Sequence, residues 1–154
     1  MIVHGIDTAV VEEAVRAAEA RTTGEIRVAL ARFYFWGDVR RAAGRAFGRL
    51  GMDRTRERNG VLIFVAPRRR GFAILGDEGI HQRVEPTFWD ELARPLGEAF
   101  AARDLTGGLV RTIAAIGDRL AVEFPAGVAG AADSNQLPDS VAVPGGRGRR
   151  GPVS

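Results

Sequence analysis

The sequence predicts an α/β fold, a small mixed β-sheet with helices on both faces, and three observations carry that expectation. Helical and strand-like apolar periods alternate along most of the chain. One run, Val61 to Ala66, is apolar without alternation, the pattern of a central strand covered on both faces. The link that follows it, Pro67 to Arg70, is short enough to join only antiparallel neighbours, whereas a whole helix separates the first two strands and makes them parallel.

The first helix is expected over Thr8 to Ala20, where Val11, Ala14, Val15 and Ala18 share one face and Asp7 stands ready as N-cap. Thr22-Thr23-Gly24 ends it. Glu25 to Ala31 then alternates, with Ile26, Val28 and Leu30 on one side, and reads as a strand. The helical period returns from Asp38 through Val39, Ala42, Ala43, Ala46, Phe47 and Leu50, and Gly51 supplies the stop. A polar loop is expected from Met52 to Gly60, then the central strand, the Pro67–Arg70 turn and a returning strand over Gly71 to Leu75. After Gly76-Asp77-Glu78-Gly79 a short helical turn is expected around Ile80 to Val84. A helix opened by Pro86-Thr87 follows, with Pro95 inside it as a kink, and a last helix from about Thr106 to Val122. Residues 1–125 form the expected domain. Residues 126–154, with six Gly, three Pro and no aromatic residue, are expected to be a disordered tail.

Composition removes much chemistry. All 22 basic residues are Arg, so Schiff-base catalysis and a P-loop lysine are impossible; Cys is absent, and Ser occurs only at Ser134, Ser140 and Ser154. The high pI, about 10.7, reflects missing titrating groups, because the net charge is only +3 and acidic residues are interspersed with basic ones. That argues against a nucleic-acid partner. No apolar run approaches a membrane span and no signal peptide is apparent at the N-terminus, so a cytoplasmic location is the expectation.

What remains plentiful is carboxylate and Arg, the material of a hard-cation site beside an anion-binding residue. The expected topology sorts these into two clusters. At the carboxyl ends of the parallel strands lie the aromatic run Phe33-Tyr34-Phe35-Trp36, Asp38, the Arg68-Arg69-Arg70 turn and Asp104. At the opposite end Asp77 and Glu78 should meet Arg58, Asn59 and Asp53, with Glu25 nearby. Plainer roles stand beside each: Asp38 and Asp104 as helix or turn caps, the three arginines as a solvated hairpin tip, and Asp77 as a turn residue whose flanking glycines permit close ligand approach.

Thr23-Gly24-Glu25-Ile26-Arg27-Val28, Leu50-Gly51-Met52 with Thr55, Arg58-Asn59-Gly60-Val61-Leu62-Ile63, Ala73-Ile74 with Gly76-Asp77 and Gly79-Ile80, Trp89 and Phe124-Pro125 together resemble the TPM domain. That family is named for a thylakoid lumen protein, a photosystem II repair protein and a modulator of acetylcholine receptors. The resemblance spans about residues 6–125. It implies a Rossmann-like α/β/α sandwich, and an activity described as metal-dependent hydrolysis of phosphoric monoesters or, in other members, an assembly or repair role. Many bacterial relatives carry a signal peptide and a membrane anchor; this chain resembles the branch with neither.

Two functions of different kinds follow. In the first, Mg²⁺ or Ca²⁺ held by two or three carboxylates from among Asp38, Asp77, Glu78 and Asp104, which the topology keeps from all ligating one ion, activates a water against a small phosphorylated substrate, with Asp77 and Arg58 as catalytic residues. Glu25 and Asn59 are further candidates, and Arg68, Arg69 and Arg70 bind the anion. In the second, the aromatic segment and the Arg turn bind a protein partner, and any cation is structural.

Overall fold

The computed structural model of the protein describes residues 1–33 and 35–127. It opens with a hairpin that the sequence did not announce: β1 (Ile2–Val3) pairs antiparallel with β2 (Ile6–Asp7), turned by His4 and Gly5 with φ of 49° and 79°. Two successive positive φ angles match the twist of a two-residue hairpin, and strands of two residues are too short to display alternation. Asp7 then caps α1 (Thr8–Glu19), accepting from the backbone N–H of Ala9 and Val10.

The next elements fall where the periodicity placed them. They are β3 (Glu25–Leu30), α2 (Val39–Arg49) capped by Asp38 and stopped at Gly51, β4 (Gly60–Ala66), and β5 (Gly71–Gly76). Two local expectations need correction. The segment from Met52 is no simple polar loop: Met52–Arg54 forms a turn of 3₁₀ helix, and Met52 is fully buried against the sheet. The short helix after β5 starts earlier than Ile80, as α3 (Glu78–His81), because Asp77 caps it. α4 (Thr87–Ala102) runs as one helix through Pro95, and α5 (Leu105–Glu123) completes the order.

The main sheet has the order β3-β4-β5. β3 lies parallel to β4, from Glu25 opposite Gly60 to Leu30 opposite Val65. β4 lies antiparallel to β5, from Val61 opposite Gly76 to Ala66 opposite Gly71. Every residue of β4 is buried, as its unbroken apolar run required.

Alternation along the strands divides the core in two. Ile26, Val28, Leu30, Val61, Ile63 and Val65 face α1, α4 and α5. Ala29, Leu62, Phe64, Ala66 and Ala73 face α2, whose own Ala43 and Ala46 let it lie close to the sheet. The result is an α/β/α sandwich with α1, α4 and α5 on one side, joined there by Ile80 of α3, and α2 on the other.

α4 and α5 cross tightly because Gly108 has no side chain: a Cβ there would stand 2.2 Å from that of Ala99. Phe124 is buried and Pro125 bridges to Thr22, joining the end of α5 to the start of β3. The expected tail lies outside the described residues from residue 128 onward, as does Tyr34 of the aromatic run. No helix among the described residues is long and apolar enough to cross a membrane.

Candidate functional site

Because β3 and β4 are parallel, both deliver their following loops to one edge of the sheet. The turn after β4, the junction between α4 and α5 and the N-terminal hairpin turn enclose a cleft of about 540 Å³ there. His4, Gly5, Pro67, Arg68, Arg70, Phe100, Ala101, Arg103 and Leu105 line it. Three arginines and a histidine thus share the lining of this cleft with the apolar residues Pro67, Phe100, Ala101 and Leu105. Phe100 in that wall is held by stacking on Phe72, with ring centroids 5.6 Å apart.

The backbone here is unusual. Among the described residues four non-glycine positions have positive φ, and three of them, His4 (49°), Arg70 (51°) and Arg103 (57°), line this cleft. A left-handed conformation costs an L-residue roughly 1–2 kcal/mol and persists where the surroundings impose it. Arg70 ends the Pro67–Arg69 turn, its N–H donating to the Pro67 carbonyl at 3.1 Å. Arg103 ends α4 in a Schellman arrangement: the Asp104 N–H donates to the Ala99 carbonyl and the Arg103 N–H to that of Phe100. Glycine is the usual residue at that point, and α2 uses Gly51 there.

The Arg68-Arg69-Arg70 turn does not act as one patch. Arg68 and Arg70 face the cleft. Arg69 turns the other way, stacks 4.9 Å from the centroid of Phe35 and donates to the Gly37 carbonyl, pinning the loop between β3 and α2. His4 ties in from the third side, its Nε2 lying 3.1 Å from the Arg32 carbonyl. A carbonyl only accepts, so Nε2 carries the proton in that bond.

At the other edge, Asp77 is buried and fully engaged. Arg58 grips it with Nε to Oδ2 at 2.7 Å and a terminal nitrogen to Oδ1 at 2.9 Å, while Oδ1 also accepts from the Glu78 N–H at 2.8 Å. Glu78 stands 3.9 Å from the same guanidinium. The hydrogen bond and charge of Asp77, helped by Glu78 and Asp53, raise the Arg58 pKa above its ordinary value. Arg58 has a φ of 51°, which aims its carbonyl at the N–H of Gly79.

The glycines around Asp77 serve the fold's own packing. A Cβ on Gly76 would stand 2.1 Å from the Trp89 ring, and one on Gly79 would stand 2.1 Å from the Glu57 carbonyl oxygen. Asn59 is buried, donating its side-chain amide to Thr23 and its N–H to Thr55. Glu25 is buried at the head of β3, opposite Gly60.

The two clusters stand apart. The seven residues of β4 separate Asp77's end from the Arg68 turn, about 20 Å at ~3.3 Å per residue. Asp77 and Glu78 therefore cannot share a cation with Asp38 or Asp104. Asp38 caps α2 through the Arg40 N–H, and Asp104 caps α5 through the Gly107 N–H with Arg111 at 3.7 Å. Among the described residues no group of three or more His, Asp or Glu gathers to hold a metal ion. Asp38, Asp77 and Asp104 each cap a helix. Two cleft residues escaped sequence reasoning. Arg103 adjoins Asp104 in a loop already placed at this edge, and that adjacency was the available signal; His4 becomes visible only with the hairpin.

A family model described as the TPM domain matches residues 4–119. No curated protein matches the chain. Among solved structures, the NMR structure of BA42 from the psychrophilic bacterium Bizionia argentinensis is 36% identical, with a TM-score of 0.80 over 88% of this chain and 91% of that one. The N-terminal domain of cg2496 from Corynebacterium glutamicum is 16% identical, with a TM-score of 0.57 over 73% of this chain and 70% of that one, a likeness of fold.

Proposed function

The chain belongs to the TPM domain family, and from that premise we propose that it recognises phosphoric monoesters in the cleft bounded by His4, Arg68, Arg70 and Arg103. The observation that carries this is the lining of one cavity by three arginines, two of them on left-handed backbone. A guanidinium presents paired N–H donors that match two oxygens of a phosphate, and such charge-assisted bonds are about twice as strong as neutral ones. Phe100, Pro67 and Leu105 offer an apolar wall to the esterified group. Arg58 and Asp77 serve in this reading as an internal clamp between β5, α3 and the segment before β4, since each satisfies the other.

The test is a titration of the full chain with phenyl phosphate, followed by NMR or calorimetry. Arg68→Ala and Arg103→Ala should weaken binding about tenfold or more each, and Arg58→Ala should leave it unchanged. Absence of binding, or equal binding by all three variants, overturns the reading. Release of phenol in the same samples, with Mg²⁺, Ca²⁺ or chelator, reports whether recognition leads to metal-dependent hydrolysis. Asp104→Asn and Asp77→Asn then show which edge supplies a carboxylate.

A further inference from the structure

Outside the cleft, the same edge of the sheet carries the most exposed aromatic side chains of the described residues. Phe33 is 74% and Trp36 is 88% exposed, both on the loop from β3 to α2, and Met1 and Ile2 of the hairpin that lines the cleft are 72% and 66% exposed. Arg69 holds this loop through Phe35 and Gly37, and His4 holds its start through Arg32, so the loop is tied to the cleft's own walls. The edge therefore combines exposed rings with an arginine-lined cleft whose walls hold the same loop.

We propose that this edge docks on an anionic bilayer, with Phe33 and Trp36 entering the interfacial layer and Arg68, Arg70 and Arg103 taking a phosphomonoester lipid headgroup into the cleft. The inference rests on the proposed recognition of phosphoric monoesters. Aromatic side chains settle at the boundary between headgroups and hydrocarbon, and a positive surface behind them matches the negative potential of anionic lipid. A protein partner is a poorer fit. Stable interfaces cover about 800 Å² per partner around a packed centre, whereas these rings project from a loop with charged side chains on either side. Binding of this kind places the protein on a membrane without a spanning helix.

The experiment is co-sedimentation of the full chain with vesicles of phosphatidylcholine alone, with phosphatidic acid, whose headgroup is a phosphomonoester, or with phosphatidylglycerol, whose phosphate is a diester. Phosphatidic acid vesicles should bind, phosphatidylglycerol vesicles more weakly, and phosphatidylcholine not at all. The double variant Phe33→Ser, Trp36→Ser changes only exposed positions, so it should fold. It should lose about tenfold or more in vesicle binding while keeping its affinity for phenyl phosphate in solution. Arg103→Ala should lose both. Phenyl phosphate binding without sedimentation overturns the membrane inference and leaves the cleft reading standing; loss of phenyl phosphate binding in the wild type overturns the cleft reading itself. Equal binding to both anionic lipids overturns the inference. So does self-association or oligonucleotide binding that the double variant abolishes, because the occupant is then a second copy or a nucleic acid.

Discussion

Replacing Arg103 by glycine should make the protein more stable and less able to hold phosphate. Arg103 stands at φ 57° and ψ 35° after the last turn of α4, and both hydrogen bonds that close the helix come from backbone groups that glycine keeps. Removing Cβ relieves about 1–2 kcal/mol of left-handed strain, and the added freedom of glycine in the unfolded chain returns about 0.5–1 kcal/mol. The net gain is about 0.5–1 kcal/mol, or roughly 2–5 °C in Tm for a domain of this size. Loss of a guanidinium that bonds a charged phosphate removes about 1.5–3 kcal/mol, which weakens phenyl phosphate binding about 10- to 100-fold. Thermal melts followed by circular dichroism, with a titration on the same samples, measure both. Arg103→Ala serves as control, since it should lose affinity without gaining Tm. An unchanged phosphate affinity would remove Arg103 from the site. A lowered Tm in Arg103→Gly would show that the side chain stabilises the fold by more than its left-handed backbone costs.

Other substitutions test the opposite edge and the long-range charge pairs. Asp77→Ala removes the α3 cap, worth about 1 kcal/mol, and breaks the ion pair with Arg58, so denaturant unfolding should show a loss of at least the cap's size. A double-mutant cycle with Arg58→Ala should show only a small coupling, since Arg58 is half-exposed and solvent screens the pair, and a coupling larger than the cap's contribution would contradict that screening. Gly79→Ala drives a methyl group into the carbonyl oxygens of Glu57 and Arg58, which are backbone and cannot rotate away; a loss of about 2–3 kcal/mol is expected, and an unchanged urea midpoint would refute the contact. The Glu85 carboxyl is held near pKa 2, below its ordinary 4.5, chiefly by its hydrogen bonds from Arg119. The fold favours its charged form, so this contribution is complete above about pH 4.5, shrinks as pH falls, and is gone below about pH 2. The Tm difference between wild type and Glu85→Gln should therefore close over that window, and a difference constant with pH would count against the pair.

The elements and their directions were legible because their causes are local. A continuous apolar run required cover on both faces of β4, a four-residue link required β5 to turn back, and a helix-length connection required β3 to run parallel. The separation of the Asp38 and Asp104 edge from the Asp77 edge followed from those directions alone. What the sequence could not express was the allocation of like side chains among partners far along the chain. Three adjacent arginines look equivalent in a sequence, yet the turn they occupy sends Arg68 and Arg70 to a cleft and Arg69 to an aromatic loop. Asp77 between glycines looks like a ligand-binding turn, and only the approach of Arg58, Trp89 and Glu57 shows that the glycines make room for the protein's own atoms. His4 and Arg103 are brought together across about a hundred residues by the packing of α1 against α5, and no period or spacing encodes that meeting. Sequence by itself determined the layers and the chemistry excluded by missing Lys, Cys and core Ser. Tertiary structure alone decided which charges share a cavity, because that depends on distances set by helix packing and by three residues held on left-handed backbone.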